Sequence, residues 1–215
     1  MPADRVIGID FDNTIASYDL AMKEMAVERR LVDPVIVAQK KFIRDAIRQR
    51  EGGEIQWQEL QADVYGPYIA RAEMIDGVAS FFRTCRQLEH PVYIVSHKTE
   101  FATRGDGRTN LRTLAMEWMK NRGFFDSSDI GLSPEHVYFE NTLEEKVKRI
   151  RSLGCTDFVD DLEETFQHAS FPDTVARYLY SPHGEVSAIS GVNVACDWKQ
   201  ISEEIFPQIR SENLR

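Results

Sequence analysis

Val6-Ile7-Gly8-Ile9-Asp10-Phe11-Asp12-Asn13-Thr14-Ile15 is the stretch that decides how the rest of this chain is read. A short apolar run ends abruptly in two carboxylates spaced i, i+2, and in extended backbone that spacing sends both side chains to the same face. Two like charges held so close repel unless a cation lies between them or one carboxyl takes a proton. A strand tip that keeps such a pair points to a metal or acid/base site. The plainer reading of this segment alone is a strand running into an Asp/Asn-rich turn, so the flanking chain has to decide.

Downstream, residues 16–73 carry helical patterns and nothing that reads as a strand. Apolar positions recur at helical spacing over 20–31, over 35–50 behind an Asp33-Pro34 start, and over 55–65, with Gly52-Gly53 as a stop. An all-helical insertion is expected there. Beyond it helices and strands alternate. A helix begins within 74–78 and carries Val78, Phe81, Phe82, Cys85 and Leu88, and the strand Val92-Tyr93-Ile94-Val95 stops at Ser96-His97-Lys98. A polar loop, Thr103 to Arg108, precedes a helix over about 109–122. The Arg-Gly-Asp triplet within that loop is read as coincidence in a chain with no expected export signal. A strand over 136–140, a helix over 143–153 capped by Asn141-Thr142, and a strand Asp157-Phe158-Val159 running into Asp160-Asp161 come next. A strand over 174–180 and a helix over 197–206 complete the pattern.

This alternation implies right-handed βαβ crossovers and an α/β, Rossmann-like parallel sheet with helices on both faces. The expected organisation is a core of residues 1–15 and 74–215 with a small all-helical cap, 16–73, inserted after strand one. In such sheets the ligand crevice lies at the carboxyl ends of the strands. Asp10, Asp12, Ser96, Asp160 and Asp161 all fall there, which favours chemistry over turn-making for the opening motif.

Composition narrows the function classes. A chain of 215 residues with 42% hydrophobic and 28% charged residues is ordinary for a globular protein able to bury a core. Its net charge of -9 argues against general binding to nucleic acid or anionic membrane. Cys85, Cys155 and Cys196 show no CxxC spacing, so neither a disulfide framework nor a zinc site is indicated. Met1 to Arg5 lead straight into the first strand, and no apolar run is long enough to span a bilayer. A reducing, cytoplasmic compartment is therefore expected.

Gathering Asp10, Asp12, Asp160 and Asp161 in one crevice without a cation would raise their pKa values and destabilise the fold. Mg²⁺ suits such a site because it takes one or two carboxylates, keeps waters and binds phosphate oxygens. Lys146, in the first turn of the helix before the Asp160 strand, is placed to bring an ammonium to the crevice. Ser96 can donate a hydroxyl to a phosphoryl oxygen.

In this order the motifs resemble those of the haloacid dehalogenase superfamily of hydrolases: Asp10-Phe11-Asp12-Asn13-Thr14 after strand one, Ser96 after strand two, Lys146 on the helix before strand four, and Asp160-Asp161 after that strand. The resemblance covers about 1–15 and 75–180, with 16–73 where that family inserts its C1 cap. It implies Asp10 as the nucleophile that forms an aspartyl-phosphate, and Asp12 as general acid and then general base. It implies Mg²⁺ held by Asp10, the Asp12 main-chain carbonyl and an acid of the Asp160-Asp161 pair, with Asp161 favoured as direct ligand. Ser96 and Lys146 would hold the phosphoryl group, His97 and Lys98 could contact substrate, and Thr14 would fix the turn. The family often places a second acid where this chain has Thr165, with Glu163 and Glu164 nearby. The presence of Asp12 tilts the expectation to phosphatase over dehalogenase. The expected activity is that of a Mg²⁺-dependent phosphomonoester hydrolase acting on a small phosphorylated metabolite, with no nucleic-acid or membrane partner. A phosphotransferase or mutase, and a catalytically silent binding protein with this fold, are the alternatives. The basic run Arg29 to Arg50 in the insertion is a candidate face for an anionic substrate, or simply a solvated helix face. No signal sets the oligomeric state.

Overall fold

The apolar run at the start of the chain becomes the strand from which the core is built. In the computed structural model, which describes residues 5–102, 108–184 and 187–207, the strands are β1 (Ile7–Ile9), β2 (Ala16–Ser17), β3 (Glu73–Met74), β4 (Val92–His97), β5 (Val137–Glu140), β6 (Asp157–Asp160), β7 (Ala176–Tyr180) and β8 (Val192–Ala195). The helices are α1 (Asp19–Glu28), α2 (Lys40–Arg48), α3 (Gly53–Tyr65), α4 (Val78–Gln87), α5 (Leu111–Asn121), α6 (Leu143–Ser152), α7 (Glu163–Gln167) and α8 (Trp198–Ile205). The Arg-Gly-Asp triplet lies outside the described residues. Two compact units result.

The first unit comprises Met1–Ile15, Ile75–His97 and Gly123–Arg215. Six parallel strands form its sheet in the order β5-β4-β1-β6-β7-β8. β1 sits in the interior, with Ile7 opposite both Val92 and Asp157, and its residues are buried on both faces. That explains an unbroken apolar run in place of alternation. Gly8 is required by the close approach of β6: a Cβ there would lie 2.5 Å from the Phe158 ring. Phe158 and Leu179 join Val147 and Ile150 of α6 in one apolar layer. Tyr180, adjacent to Leu179 and so on the opposite face, meets Trp198 of α8, which in turn packs on Phe81 of α4.

Trp198 also fixes the exit from β1, because its Nε1 donates to the Thr14 carbonyl at 3.0 Å. Gly77 precedes α4 at φ 89°, and a Cβ on it would meet Trp198 Cβ at 2.7 Å, so this helix start also needs glycine. β8 and α7 leave no clear pattern in the sequence; both are short, and β8 leaves Asn193 and Val194 exposed.

The second unit comprises Ala16–Met74 and Lys98–Arg122. It differs from the expected all-helical insertion of 16–73 in three ways. β2 and β3 pair antiparallel at its two ends, and two residues per strand are too few to leave a period in the sequence. No helix starts at Asp33-Pro34: Asp33 accepts from Val35 N at 2.9 Å, and α2 begins only at Lys40. The β-branched run Val35-Ile36-Val37 disfavours helix there. Finally, α5 groups with this unit, whereas the sequence pattern places all of 74–215 in the core. Trp118 Nε1 donates to the Ala72 carbonyl at 3.1 Å and the Arg122 guanidinium donates to the same oxygen, tying α5 to the chain beside β3. Among the described residues no helix is long and apolar enough to cross a membrane.

Candidate active site

β1 and β6 are adjacent and in register, with Ile9 opposite Val159. Asp10 continues the ladder by donating its N–H to the Val159 carbonyl at 2.9 Å. Asp10 therefore falls on the Gly8 face and Asp160 on the Phe158 face, which are the same side of the sheet. That side is covered by α6. Thr142 caps α6 by accepting from Glu145 N at 3.1 Å, while Glu145 Oε2 accepts from Asn141 N at 3.0 Å. The cap fixes where the helix begins and so which residue of its first turn points inward.

That residue is Lys146. It is buried, and its Nζ donates to Asp10 Oδ1 at 2.7 Å and to Asp160 Oδ2 at 2.6 Å. The Phe158 ring lies below the ammonium, its centroid 5.5 Å away. Asp160 Oδ1 accepts from Leu162 N at 3.1 Å, so both its oxygens are engaged. Asp10, Asp160 and Asp161 bring carboxylate oxygens within 4.8 Å of one another. The ammonium is bonded to two of these three carboxylates.

Burial, reinforced by neighbouring Asp160 and Asp12 and opposed by Lys146, pushes the Asp10 carboxyl up to about 7. Burial works against the Lys146 ammonium too, but Asp10 and Asp160 more than compensate, so its pKa is raised and it stays charged. An oxygen-only donor set of three carboxylates fits a hard divalent cation such as Mg²⁺.

Ser96, at the carboxyl end of β4, is fully buried and its Oγ has no hydrogen-bond partner among the described residues. An unsatisfied buried hydroxyl is costly and calls for a ligand or water. Asp12 is half-buried, next to Asn13 in the left-handed region at φ 60°. The turn is closed by Ile15 N donating to the Phe11 carbonyl at 3.0 Å; the Thr14 hydroxyl, expected to fix it, is buried without a hydrogen-bond partner among the described residues. His97 is exposed, with Nε2 3.0 Å from the Asn141 carbonyl oxygen. Lys98 belongs to the second unit, where it is buried with Nζ 5.4 Å from the Tyr65 ring centroid. Thr165 is buried, and Glu163 Oε1 accepts from Ala188 N at 3.1 Å. The Leu162 N–H that anchors Asp160 escapes sequence reasoning, since a backbone donor leaves no mark on residue type.

No protein-family model and no curated protein matches the chain. Solved structures do. A haloacid dehalogenase (HAD) family hydrolase from Deinococcus radiodurans, solved with bound phosphate and sodium, is similar over 94% of this chain and 96% of its own, with TM-score 0.57 and 12% identity. A phosphoserine phosphohydrolase-like protein from Francisella tularensis aligns over 94% of this chain and all of its own, with TM-score 0.50 and 13% identity. A dehalogenase aligns over 96% and 98%, with TM-score 0.52 and 10% identity. At such identities the likeness concerns the fold: the chain has the α/β, Rossmann-like fold of the haloacid dehalogenase-like hydrolases.

Proposed function

We propose that the protein is a Mg²⁺-dependent phosphomonoester hydrolase acting on a small phosphorylated metabolite through an aspartyl-phosphate. The observation that carries the proposal is the buried Lys146 ammonium bonded to both Asp10 and Asp160 within a set of three carboxylates. The three carboxylates beside that ammonium form an oxygen-only donor set, which suits a hard divalent cation.

Asp10, Asp161 and the Asp12 main-chain carbonyl hold Mg²⁺. Asp160 supports the site through Lys146, because both its carboxylate oxygens already accept hydrogen bonds. When bound, the cation neutralises charge on the phosphoryl oxygens. Asp10 attacks phosphorus, its oxygen forming the new P–O bond as the ester P–O bond breaks. Asp12 gives its proton to the leaving oxygen, then takes one from the water that attacks the aspartyl-phosphate, releasing inorganic phosphate and regenerating Asp10. Lys146 orients Asp10 and, with the Ser96 hydroxyl, binds phosphoryl oxygens. His97 and Lys98, next in the chain after Ser96, are the further substrate contacts of this reading.

The phosphatase-type neighbour and the phosphate bound to the Deinococcus protein support this reading, and Asp12 favours it over dehalogenation. The test is phosphate release from an aryl phosphate with Mg²⁺ and with chelator, for wild type and Asp10→Asn. Turnover should need both the metal and Asp10; equal activity in all four arms overturns the mechanism. Adding alcohol acceptors to the wild-type reaction and analysing products separates hydrolase from phosphotransferase.

A further inference from the structure

A buried polar group without a partner marks a place where a ligand or water belongs. Among the described residues of the first unit, three buried side-chain polar atoms lack a hydrogen-bond partner: the hydroxyls of Thr14, Ser96 and Ser181. All three stand at the carboxyl edge of the sheet, Thr14 beyond β1, Ser96 near the end of β4 and Ser181 directly after β7. Chance burial would scatter such groups over both edges. The proposed chemistry uses Ser96 and leaves Ser181 unexplained. Ser181 N donates to the Ala195 carbonyl at 2.8 Å, so the residue continues the ladder between β7 and β8 and keeps its alternation. It therefore shares a face with Leu179, and Leu179 pairs with Asp160. Ser181 thus lies on the side of the sheet that carries Asp10 and Asp160, one strand beyond Asp160. Strand spacing and rise put its Cα about 8 Å from that of Asp160. The segment that follows turns back towards the same place. Gly184 N donates to the Ser181 carbonyl at 3.1 Å, and Ala188 N donates at 3.1 Å to Glu163, two residues past Asp161. Ser181 is only 6% exposed, so bulk water does not satisfy its hydroxyl.

We propose that Ser181 is a positioning residue of the cation site: its Oγ accepts a hydrogen bond from a water carried by the divalent cation, which draws β7 into a site built otherwise from β1 and β6. This deepens the phosphatase reading and rests on the cation site in it. Mg²⁺ held by few carboxylates keeps several waters, and groups that orient such an outer layer tune how tightly the metal is held. A hydroxyl suits that place, since it accepts from a polarised water without bringing charge. Another carboxylate there would add to the repulsion among the three already present. The plainer use of the hydroxyl is to hold a buried water unrelated to the cation, and the two uses part in experiment.

Magnesium binding tests this role apart from turnover. Titration calorimetry with MgCl₂ and no substrate, on the full chain stripped of metal, compares wild type, Ser181→Ala and Ser96→Ala. Ser181→Ala should raise the Mg²⁺ Kd about tenfold. Ser96→Ala removes a hydroxyl assigned to the phosphoryl group and should leave that Kd within about twofold. In chelator, thermal unfolding should find Ser181→Ala as stable as wild type, because no protein contact is lost, and added Mg²⁺ should raise its Tm less than that of wild type. If wild type binds Mg²⁺ and Ser181→Ala binds it equally well, the role of Ser181 is refuted while the phosphatase reading stands. An equal weakening by Ser96→Ala refutes it too, since the effect is then not specific to β7. Stability lost in chelator with an unchanged Kd assigns the hydroxyl to a structural water and overturns the proposal. If wild type itself binds no Mg²⁺, the cation-dependent reading falls and this inference with it.

Discussion

Replacing Asp10 with asparagine should make the metal-free protein more stable, although it removes the proposed nucleophile. Burial among Asp160 and Asp12 holds the Asp10 carboxyl at about 7 against 3.8 for the unperturbed group. Between those values the folded protein keeps a proton that the unfolded chain has released. Stability of the metal-free protein therefore falls as pH rises through this window and levels off above it. A shift of this size costs about 4 kcal/mol once Asp10 is ionised, at about 1.4 kcal/mol per pH unit. Asparagine stands in for the protonated carboxyl at every pH. Asp10→Asn should match wild type near about pH 4 and exceed it by about 4 kcal/mol near about pH 8. For a protein of this size that is a rise in Tm on the order of 10 °C. Thermal unfolding in chelator across this range, followed by circular dichroism, reads the difference directly. Millimolar Mg²⁺ should narrow it, since a ligand bound by wild type stabilises the folded state. A difference that does not change with pH, or a wild type more stable than the variant near about pH 8 without metal, refutes the reasoning.

Three further outcomes are expected. Lys146→Met strips the ammonium from two buried carboxylates and should cost about 3–5 kcal/mol in denaturant unfolding at neutral pH without metal, with kcat reduced about 10³-fold. Ser96→Ala removes a buried hydroxyl that has no hydrogen-bond partner among the described residues, so stability should hold or rise by about 1 kcal/mol while kcat/KM falls on the order of 10²-fold; a large loss of stability would show that the hydroxyl has a structural partner. Gly77→Ala forces a side chain onto φ 89° and against Trp198, and should lower the urea midpoint by the equivalent of about 2–3 kcal/mol with an unchanged slope.

The parts of the fold that are legible in sequence are those where burial imposes a pattern. β1, β4 and β6 are buried enough to read as apolar runs, and α6 announces itself through Thr142 at its cap. Asp10, Ser96 and Asp160 can be placed together before any geometry because a parallel sheet sends the ends of β1, β4 and β6 to one edge, and Lys146 joins them from the first turn of the helix leading into β6. The β2-β3 ribbon is not legible, since two-residue strands carry no period. Val35-Ile36-Val37 looks helical by apolar count and fails because β-branched side chains resist helix. The attachment of α5 to the second unit depends on Trp118 and Arg122 meeting the Ala72 carbonyl, a backbone acceptor that residue types do not reveal.

The placement of β1 has a further consequence, one of timing. Ile7 pairs on one side with Val92 and on the other with Asp157, so this strand is flanked by partners that are synthesised much later than it is. At about 5–20 residues per second, the nascent chain must carry this apolar strand without its β6 partner for on the order of ten to thirty seconds. Contacts so distant in sequence also carry a large loop-closure cost and slow the search for the native pairing. During that interval the segment that will carry Asp10 is an exposed strand edge, and chaperone capture or mispairing of this nascent segment is the hazard this topology brings.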